Sequence, residues 1–378
     1  MKKLLLSLAM MSAMLLQAQT QFTVDGLIYE VLDNNNVALV SEKDFQSSYT
    51  GDVVVPESVE NNGTKYTVTT IGAYAFYSST VTSIQLPNTI TTMYDRSFNY
   101  ARSLTTINIP ASVKNYINTS DPNEAIINAT FKGCNSLKNV TLEEGLTVLA
   151  RTMFDDKSLT EITTINVPGS IKELPHSVFA NLKVEEIILN EGLEKIGEFA
   201  LYALDNVKSF TLPSTVKEIE DNAFKSSAMS ELILNEGLTT IKRAAFSTCN
   251  NLTTIVLPST INFLGFQVFA KSNNLTDIYV KATNVPEIEN RESQGSLVTA
   301  FSGMAEGIKV HVPVGCLDKY KADKFWGTLT LDEAEAPSAI ESIEAMSGNA
   351  DVYDLMGRPQ QQLNKGLNVT TNGLIWVK

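Results

Sequence analysis

The sequence predicts an α/β repeat solenoid: coils of 22–23 residues, each laying down one short parallel strand, behind an N-terminal β-hairpin cap. Two observations carry that expectation. Between Val207 and Phe269 the chain reads VKSFTLPSTVKEIEDNAF, MSELILNEGLTTIKRAAF and LTTIVLPSTINFLGFQVF, and the closing Phe224, Phe246 and Phe269 are 22 and 23 residues apart. Self-similarity at that period means one supersecondary unit per repeat, stacked so that each coil buries the apolar edge of its neighbour. Inside the repeat an apolar-x-apolar pair recurs, and a period of two within a period of about 22 marks one strand per coil in a parallel sheet.

Taken in order, residues 1–18 read as a secretory leader. Lys2 and Lys3 form the basic start, Leu4 to Leu16 the apolar centre and Ala18 a small residue for cleavage. The apolar run is shorter than the roughly 20 residues that span a bilayer, so no membrane insertion is expected once the leader is removed. Residues 19–67 do not repeat. FTVDGLIYEVL, NVALV, GDVVVP and KYTVTTI are β-rich runs separated by turn signals. Hairpins there would cover the apolar face that a first coil otherwise shows to water.

The coils are expected over residues 68–330. Their closing position is held by Phe76, Phe98, Phe131, Phe154, Phe179, Leu201, Phe224, Phe246, Phe269 and Phe301. The inward pairs run from Ile84 and Leu86 through Ile187 and Leu189 to Val310 and Val312. Pro87, Pro110, Pro168, Pro213, Pro258 and Pro313 end six of the strands, since proline has no N–H for the ladder. Elsewhere Glu-Gly takes that place, as in Glu191-Gly192 and Glu236-Gly237. A further aliphatic (Ile196, Ile219, Ile241, Leu264) then leads into what reads as a short helical turn closed by the aromatic. Two coils are oversized, with extra residues in 114–129 and 283–300; insertions of this kind fit either a binding loop or tolerated drift. Residues 331–339 are acidic and read as a linker, and 340–378 as a small β tail too short to be stable alone.

The LTTIVLPSTINFLGFQVF wording, with Leu252, Ile255, Leu257, Pro258, Ile261, Leu264 and Phe269, resembles the BspA-like leucine-rich repeat family of bacterial surface proteins. The resemblance covers about residues 20–330, including the FTVDGLIYEVL cap and the VHVPVGCLDKYKADKFW closing coil. It implies a leucine-rich-repeat superhelix, secreted or held at the cell surface of a Bacteroidetes-like bacterium, with adhesion or protein binding as its theme. The tail resembles the end of a type IX secretion sorting domain through Val352, Tyr353, Asp354, Leu355, Gly357 and Arg358, although such domains are usually about twice as long.

Chemistry is sparse. The formal net charge of −13 opposes nucleic-acid or anionic-membrane binding, which need a basic footprint. The two histidines, His176 and His311, sit in separate coils and read as surface positions rather than catalytic bases. No HExxH, GxSxG, P-loop, CxxC or calcium loop is present, so an enzyme, a metal and a cofactor are not expected. Cys134 and Cys249 share one repeat position and read as small buried side chains; Cys316 fits no column.

Function is therefore sought on the outward face of the strands. The residues between the inward pairs are Gln85, Asn108, Thr141, Asn166, Ile188, Thr211, Ile233, Val256, Tyr279 and His311. Ile188, Thr211, Ile233, Val256 and Tyr279, flanked by Glu186, Glu231 and Asp277, read either as a partner-binding patch or as the β-branched preference of any parallel ladder. The expected partner is a protein, either a host extracellular protein or one on a neighbouring cell. Glycan binding and a purely structural envelope role are the alternatives.

Overall fold

The computed structural model describes residues 21–41, 47–118, 130–293 and 296–337, with four short strands between 352 and 377. The leader, part of the first insertion and residues Asp354 to Arg358 of the sorting-like motif lie outside the described residues.

The chain is a leucine-rich repeat solenoid of short parallel strands. Along the strand pairs, Ile107, Ile109, Ile165, Val167, Ile255, Leu257, Val310 and Val312 are at most 1% exposed, as the period of two requires; Val140 and Leu189 are half-buried. The closing aromatics form a stacked column, with ring centroids 5.4 Å apart for Phe76–Phe98, 5.3 Å for Phe98–Phe131, 5.2 Å for Phe131–Phe154 and 5.7 Å for Phe154–Phe179. Leu201 interrupts it, and Phe224, Phe246 and Phe269 continue it. Two aromatics outside the repeat wording end the column, Tyr49 against Phe76 at 5.3 Å and Trp326 against Phe301 at 4.9 Å.

Most coils contribute more than the single strand expected; the coil that begins with Asn139–Leu142 does not. Besides the long-strand ladder there is a short-strand ladder, in which Glu173–Leu174, Lys195–Ile196, Glu218–Ile219, Thr240–Ile241, Phe263–Leu264 and Glu287–Ile288 pair in sequence. The aliphatics that precede the turn are thus strand residues. Beside them, opposite charges from successive coils pair: Lys195 lies 2.7 Å from Glu220, and Lys242 lies 2.7 Å from Glu218 and 3.1 Å from Glu220.

The expected helical turn is not helical. In seven coils, residues four apart take left-handed conformations, for example Phe199 with Ala203 and Asn222 with Ser226, at φ of +54°, +52°, +57° and +62°. Such angles are unfavourable for residues with a Cβ. The gain is that alternate N–H groups leave the turn for the next coil: Phe199 donates to Asp221, Leu201 to Ala223 and Ala203 to Lys225. A helix would spend those donors internally and leave the coils unjoined along the turn.

The solenoid also starts earlier and ends later than the repeat wording suggests. Gln21–Val24, Leu27–Val31 and Asn36–Val40 form antiparallel hairpins, but Thr50–Val54, inside the segment read as cap, already pairs parallel with Thr80–Gln85. At the other end Thr330–Glu333 pairs with Lys309–Val312, so Leu331 to Glu333 belong to the ladder and not to a linker. In the second insertion Arg291–Ser293 and Ser296–Val298 form an antiparallel hairpin. The tail strands Val352–Tyr353, Pro359–Gln360, Gly366–Thr370 and Gly373–Val377 pair antiparallel with one another.

Cys134 and Cys249 are free and buried. Their thiols donate to Phe98 O at 3.0 Å and Phe224 O at 3.2 Å. Burial pushes the Cys249 thiol up to about 12 and raises Cys134 further, which leaves both unreactive. Cys316 is half-buried at the start of the helix Leu317–Lys321.

Candidate functional site

The long-strand ladder is not one sheet but four. Thr50–Val54, Thr80–Gln85, Thr106–Ile109 and Asn139–Leu142 form the first, Thr164–Val167 with Glu186–Leu189 the second, and Ser209–Thr211 with Glu231–Ile233 the third. Thr254–Leu257, Asp277–Val280, Lys309–Val312 and Thr330–Glu333 form the fourth.

All three breaks precede a proline. In three strands that end without one, the next residue donates back to the preceding coil: Glu143 N to Ile109 O at 3.1 Å, Asn190 N to Val167 O at 3.4 Å and Lys281 N to Leu257 O at 3.0 Å. Pro168, Pro213 and Pro258 stand at the same position and have no N–H to give. Of the other proline strands, Thr80–Gln85 stays paired with Thr50–Val54 through the backbone, and two more carry a side-chain bond at the joined step. Asn108 donates from Nδ2 to Leu86 O at 2.9 Å and accepts from Leu86 N at 2.7 Å, ahead of Pro110. His311 Nε2 bonds Asp277 Oδ1 at 2.9 Å, ahead of Pro313.

These breaks divide the outward residues. Thr211 faces Ile233, and Ser209 faces Glu231, across one pair of strands. Val256 faces Tyr279, and Thr254 faces Asp277, across another. Ile188 sits beside Asn166. The apolar outward set is therefore not one stripe. Ile188 is 39% exposed, whereas Ile233, Val256 and Tyr279 are half-buried.

His311 is not a surface residue. It is 8% exposed, stacked on Tyr279 with centroids 4.2 Å apart, and held by Asp277 on one ring nitrogen and Asp332 on the other. The bond from His311 holds the Asp277 carboxyl below the usual aspartate range, with Thr276 adding a second. Asp277 and Tyr279 thus serve the end of the solenoid as much as its outward face. His176 is half-buried, 3.3 Å from Glu198.

The break between Leu189 and Ser209 opens a cleft of about 510 Å³. Ile187, Leu189, Phe210 and Leu212 line it, with Ile188 and Thr211 at its mouth and Glu185, Glu186, Glu191 and Lys208 around it. Of the expected residues, it brings together Ile188, Thr211 and Glu186. Sequence reading missed a second feature, a tyrosine row on the turn side. Tyr77 meets Tyr74 at 5.4 Å and Tyr100 at 5.5 Å, with the Arg96 guanidinium over Tyr74. The recurrence of aromatics at 74, 77 and 100 was the available signal.

Among the described residues no group of three or more His, Cys, Asp or Glu side chains is placed to hold a metal ion, and no helix is long and apolar enough to cross a membrane.

Stacked parallel coils with an inward aliphatic pair and a closing phenylalanine define a leucine-rich repeat protein. The BspA-type leucine-rich repeat region matches in six copies over residues 57–183, 115–227 and 172–296, and the chain belongs to that family. No curated protein matches it. Among solved structures it is similar to a leucine-rich repeat protein from Bacteroides ovatus, at 19% identity over 83% of this chain and 100% of that one, with a TM-score of 0.29. It is also similar to the pneumococcal vaccine antigen PcpA, at 16% identity over 84% and 99% with a TM-score of 0.38. A third is a leucine-rich cell surface protein from Faecalibacterium prausnitzii, at 18% identity over 84% and 100% with a TM-score of 0.32. At that level of likeness none carries an argument about function.

Proposed function

We propose that this chain is an exported, non-catalytic binding solenoid that acts at the bacterial surface on a protein partner. The observation that carries the reading is the cleft beside Ile188, where an exposed aliphatic stands among the carboxylates Glu185, Glu186 and Glu191, the chemistry of a protein-contact patch. Export rests on the leader at residues 1–18, and surface delivery on the sorting-like tail at 340–378. The test is capture from host matrix and mucin extracts by the mature chain. Ile188→Lys with Ile233→Lys should keep the fold and lower capture of a defined protein at least tenfold; unchanged capture removes the reading. The row Tyr74, Tyr77 and Tyr100 favours a second reading, a glycan stacked on aromatic faces. A glycan array bound by the intact chain and lost in Tyr77→Ala would replace the first reading with it.

A further inference from the structure

The N-terminal hairpins cap only one of the two ladders. Asn36–Val40 pairs with Thr64–Ile71, which pairs in turn with Thr92–Tyr94, so the short-strand side begins under a covering strand. The long-strand side begins on Thr50–Val54, which pairs with Thr80–Gln85 and with no other described strand.

The groups left open on its outer side follow from the bonds on its inner one. Tyr49 O accepts from Thr80 N, and Val55 N donates to Gln85 O. In a parallel ladder alternate residues of a strand turn their N–H and C=O groups to opposite neighbours. The one irregularity of the pairing lies in the partner strand, where Thr82 is the extra residue, so the alternation in Thr50–Val54 is unbroken. Gly51 and Val53 therefore face Thr80–Gln85, and Thr50, Asp52 and Val54 turn outward. No bond from the described turns and loops reaches the main chain of these three.

They border a cleft of about 410 Å³ whose other wall is the hairpin turn at residues 24–27. Val24, Leu27, Tyr29, Val53 and Pro56 line it, and Val54 stands beside it 65% exposed. Its charged residues are Asp25 and Asp52, both carboxylates. The Ser83 and Thr82 hydroxyls each donate to Asp52 Oδ1 at 2.7 Å and hold that carboxyl below the usual aspartate range, which leaves Oδ2 for a ligand. An open strand edge takes an added strand by main-chain hydrogen bonds, with alternate side chains supplying selectivity.

The charges decide the occupant. A second copy stacked end to end would bring its last ladder strand, Thr330–Glu333, to this edge. Val54 pairs with Gln85, and Asp332 with His311, at the two ends of one outward row. Continued in that register, the ladder would set Asp332 against the exposed Val54, with Asp52 close by. A carboxylate met by an aliphatic and a second carboxylate opposes that stack. A basic segment meets no such conflict.

We propose that the outer edge of Thr50–Val54 receives an extended segment of another protein, alternating small apolar and basic residues, as an added first strand of the long ladder. The segment bonds the main chain of Thr50, Asp52 and Val54, lays its apolar side chains beside Val53 and sets a basic one against Asp52. The site goes beyond the contact patch at Ile188, lies at the start of the solenoid and does not depend on that patch.

The probe is a short labelled peptide in which valine alternates with lysine, beside a counterpart with glutamate for lysine, titrated into the full mature chain. The lysine peptide should bind, and the glutamate one at least tenfold more weakly. Val54→Pro removes an outward N–H and leaves the groups that pair with Thr80–Gln85, as proline on an edge strand can. It should weaken the lysine peptide at least tenfold, while Val54→Thr, which keeps the N–H, should cost little. Asp52→Asn should narrow the preference between the two peptides. Should Val54→Pro fail to fold, amide exchange in the unaltered chain decides: the lysine peptide must slow exchange at Thr50, Asp52 and Val54. Equal binding by Val54→Pro, equal binding of the two peptides, an unchanged preference in Asp52→Asn, or unchanged exchange at those amides each overturns the proposal. So does sedimentation showing the chain stacked on itself and released by Val54→Pro. Protein capture lost in Ile188→Lys, with no peptide held at this edge, would sink the added strand alone. Peptide held here, with capture indifferent to Ile188→Lys, would sustain it and sink the patch.

Discussion

The Glu191 carboxylate accepts both the backbone N–H of Ser214, at 2.9 Å, and its hydroxyl, at 2.8 Å. Glu236 does the same to Ser259 two coils further on, at 2.9 and 2.7 Å. The two wordings that alternate along the chain are thus halves of one clip. Asn-Glu-Gly supplies the carboxylate and Leu-Pro-Ser the donors, and the clip holds adjacent coils at the end of the strand where proline has broken the ladder. Gly192 N adds a bond to Thr215 Oγ1 at 2.9 Å, and Gly237 N one to Thr260 Oγ1 at 3.0 Å.

Glu191→Gln should lower stability at neutral pH by about 1 kcal/mol, the scale of an exposed charge-assisted bond. The Ser214 N–H holds the Glu191 carboxyl below its ordinary 4.5. A depressed carboxyl stabilises above its unfolded value and loses that contribution as pH falls through the folded one. Urea melts should therefore separate the variant from the parent at neutral pH and bring them together well below 4.5. A constant gap across that range would place the effect elsewhere.

Phe154 stacks on Phe131 and on Phe179 at once. Phe154→Ala should cost about 3–5 kcal/mol, as for a buried phenylalanine whose cavity cannot collapse. Because each coil touches only its neighbours, the loss should appear in hydrogen exchange as local opening of the adjacent coils rather than uniform loosening. Uniform loosening would argue against a one-dimensional stack.

Asp332 holds the last ladder strand to His311, and Ala334 N donates to Val312 O just beyond it. Asp332→Asn should weaken that strand by about 1 kcal/mol, read as roughly fivefold faster exchange at the Ala334 amide. The Asp277 partner on the other ring nitrogen has its carboxyl held low by His311. Its contribution is present above the ordinary aspartate value and is lost as pH falls through the lower folded one. The protection factor at Ala334, the observed exchange corrected for the intrinsic rate at each pH, should therefore fall in acid even in the parent chain.

Much of the fold was legible because it repeats. A period of two located Ile255 and Leu257, and a period of 22–23 located the phenylalanine column. The short-strand ladder was not legible, since two residues such as Glu218 and Ile219 leave no alternation to read. Tyr49 and Thr50–Val54 were missed because the first coil does not use the repeat wording. His311 looked outward by its place in the strand; its burial depends on Asp332, which lies 21 residues on in a stretch that reads as linker. At the candidate site the prolines are visible, but the wording around each shows only that it ends its own strand. That Pro213 also deprives the preceding coil of a bond depends on the neighbour in space, which no single strand's wording contains.

The left-handed turns give the solenoid unequal stiffness on its two sides. On the turn side successive coils are tied by the short ladder and by donors such as Phe199 and Ala203. On the long-strand side the ladder lapses at three steps. Flexing that opens the turn side must break bonds at every coil it crosses. At those three steps, flexing that fans the long-strand side apart works against side-chain clips such as Glu191 with Ser214, Glu236 with Ser259 and Lys281 with Glu236 rather than against a ladder. Curvature is thus resisted less in one sense than in the other, so the spacing of the long-strand face can change while the opposite face keeps its own.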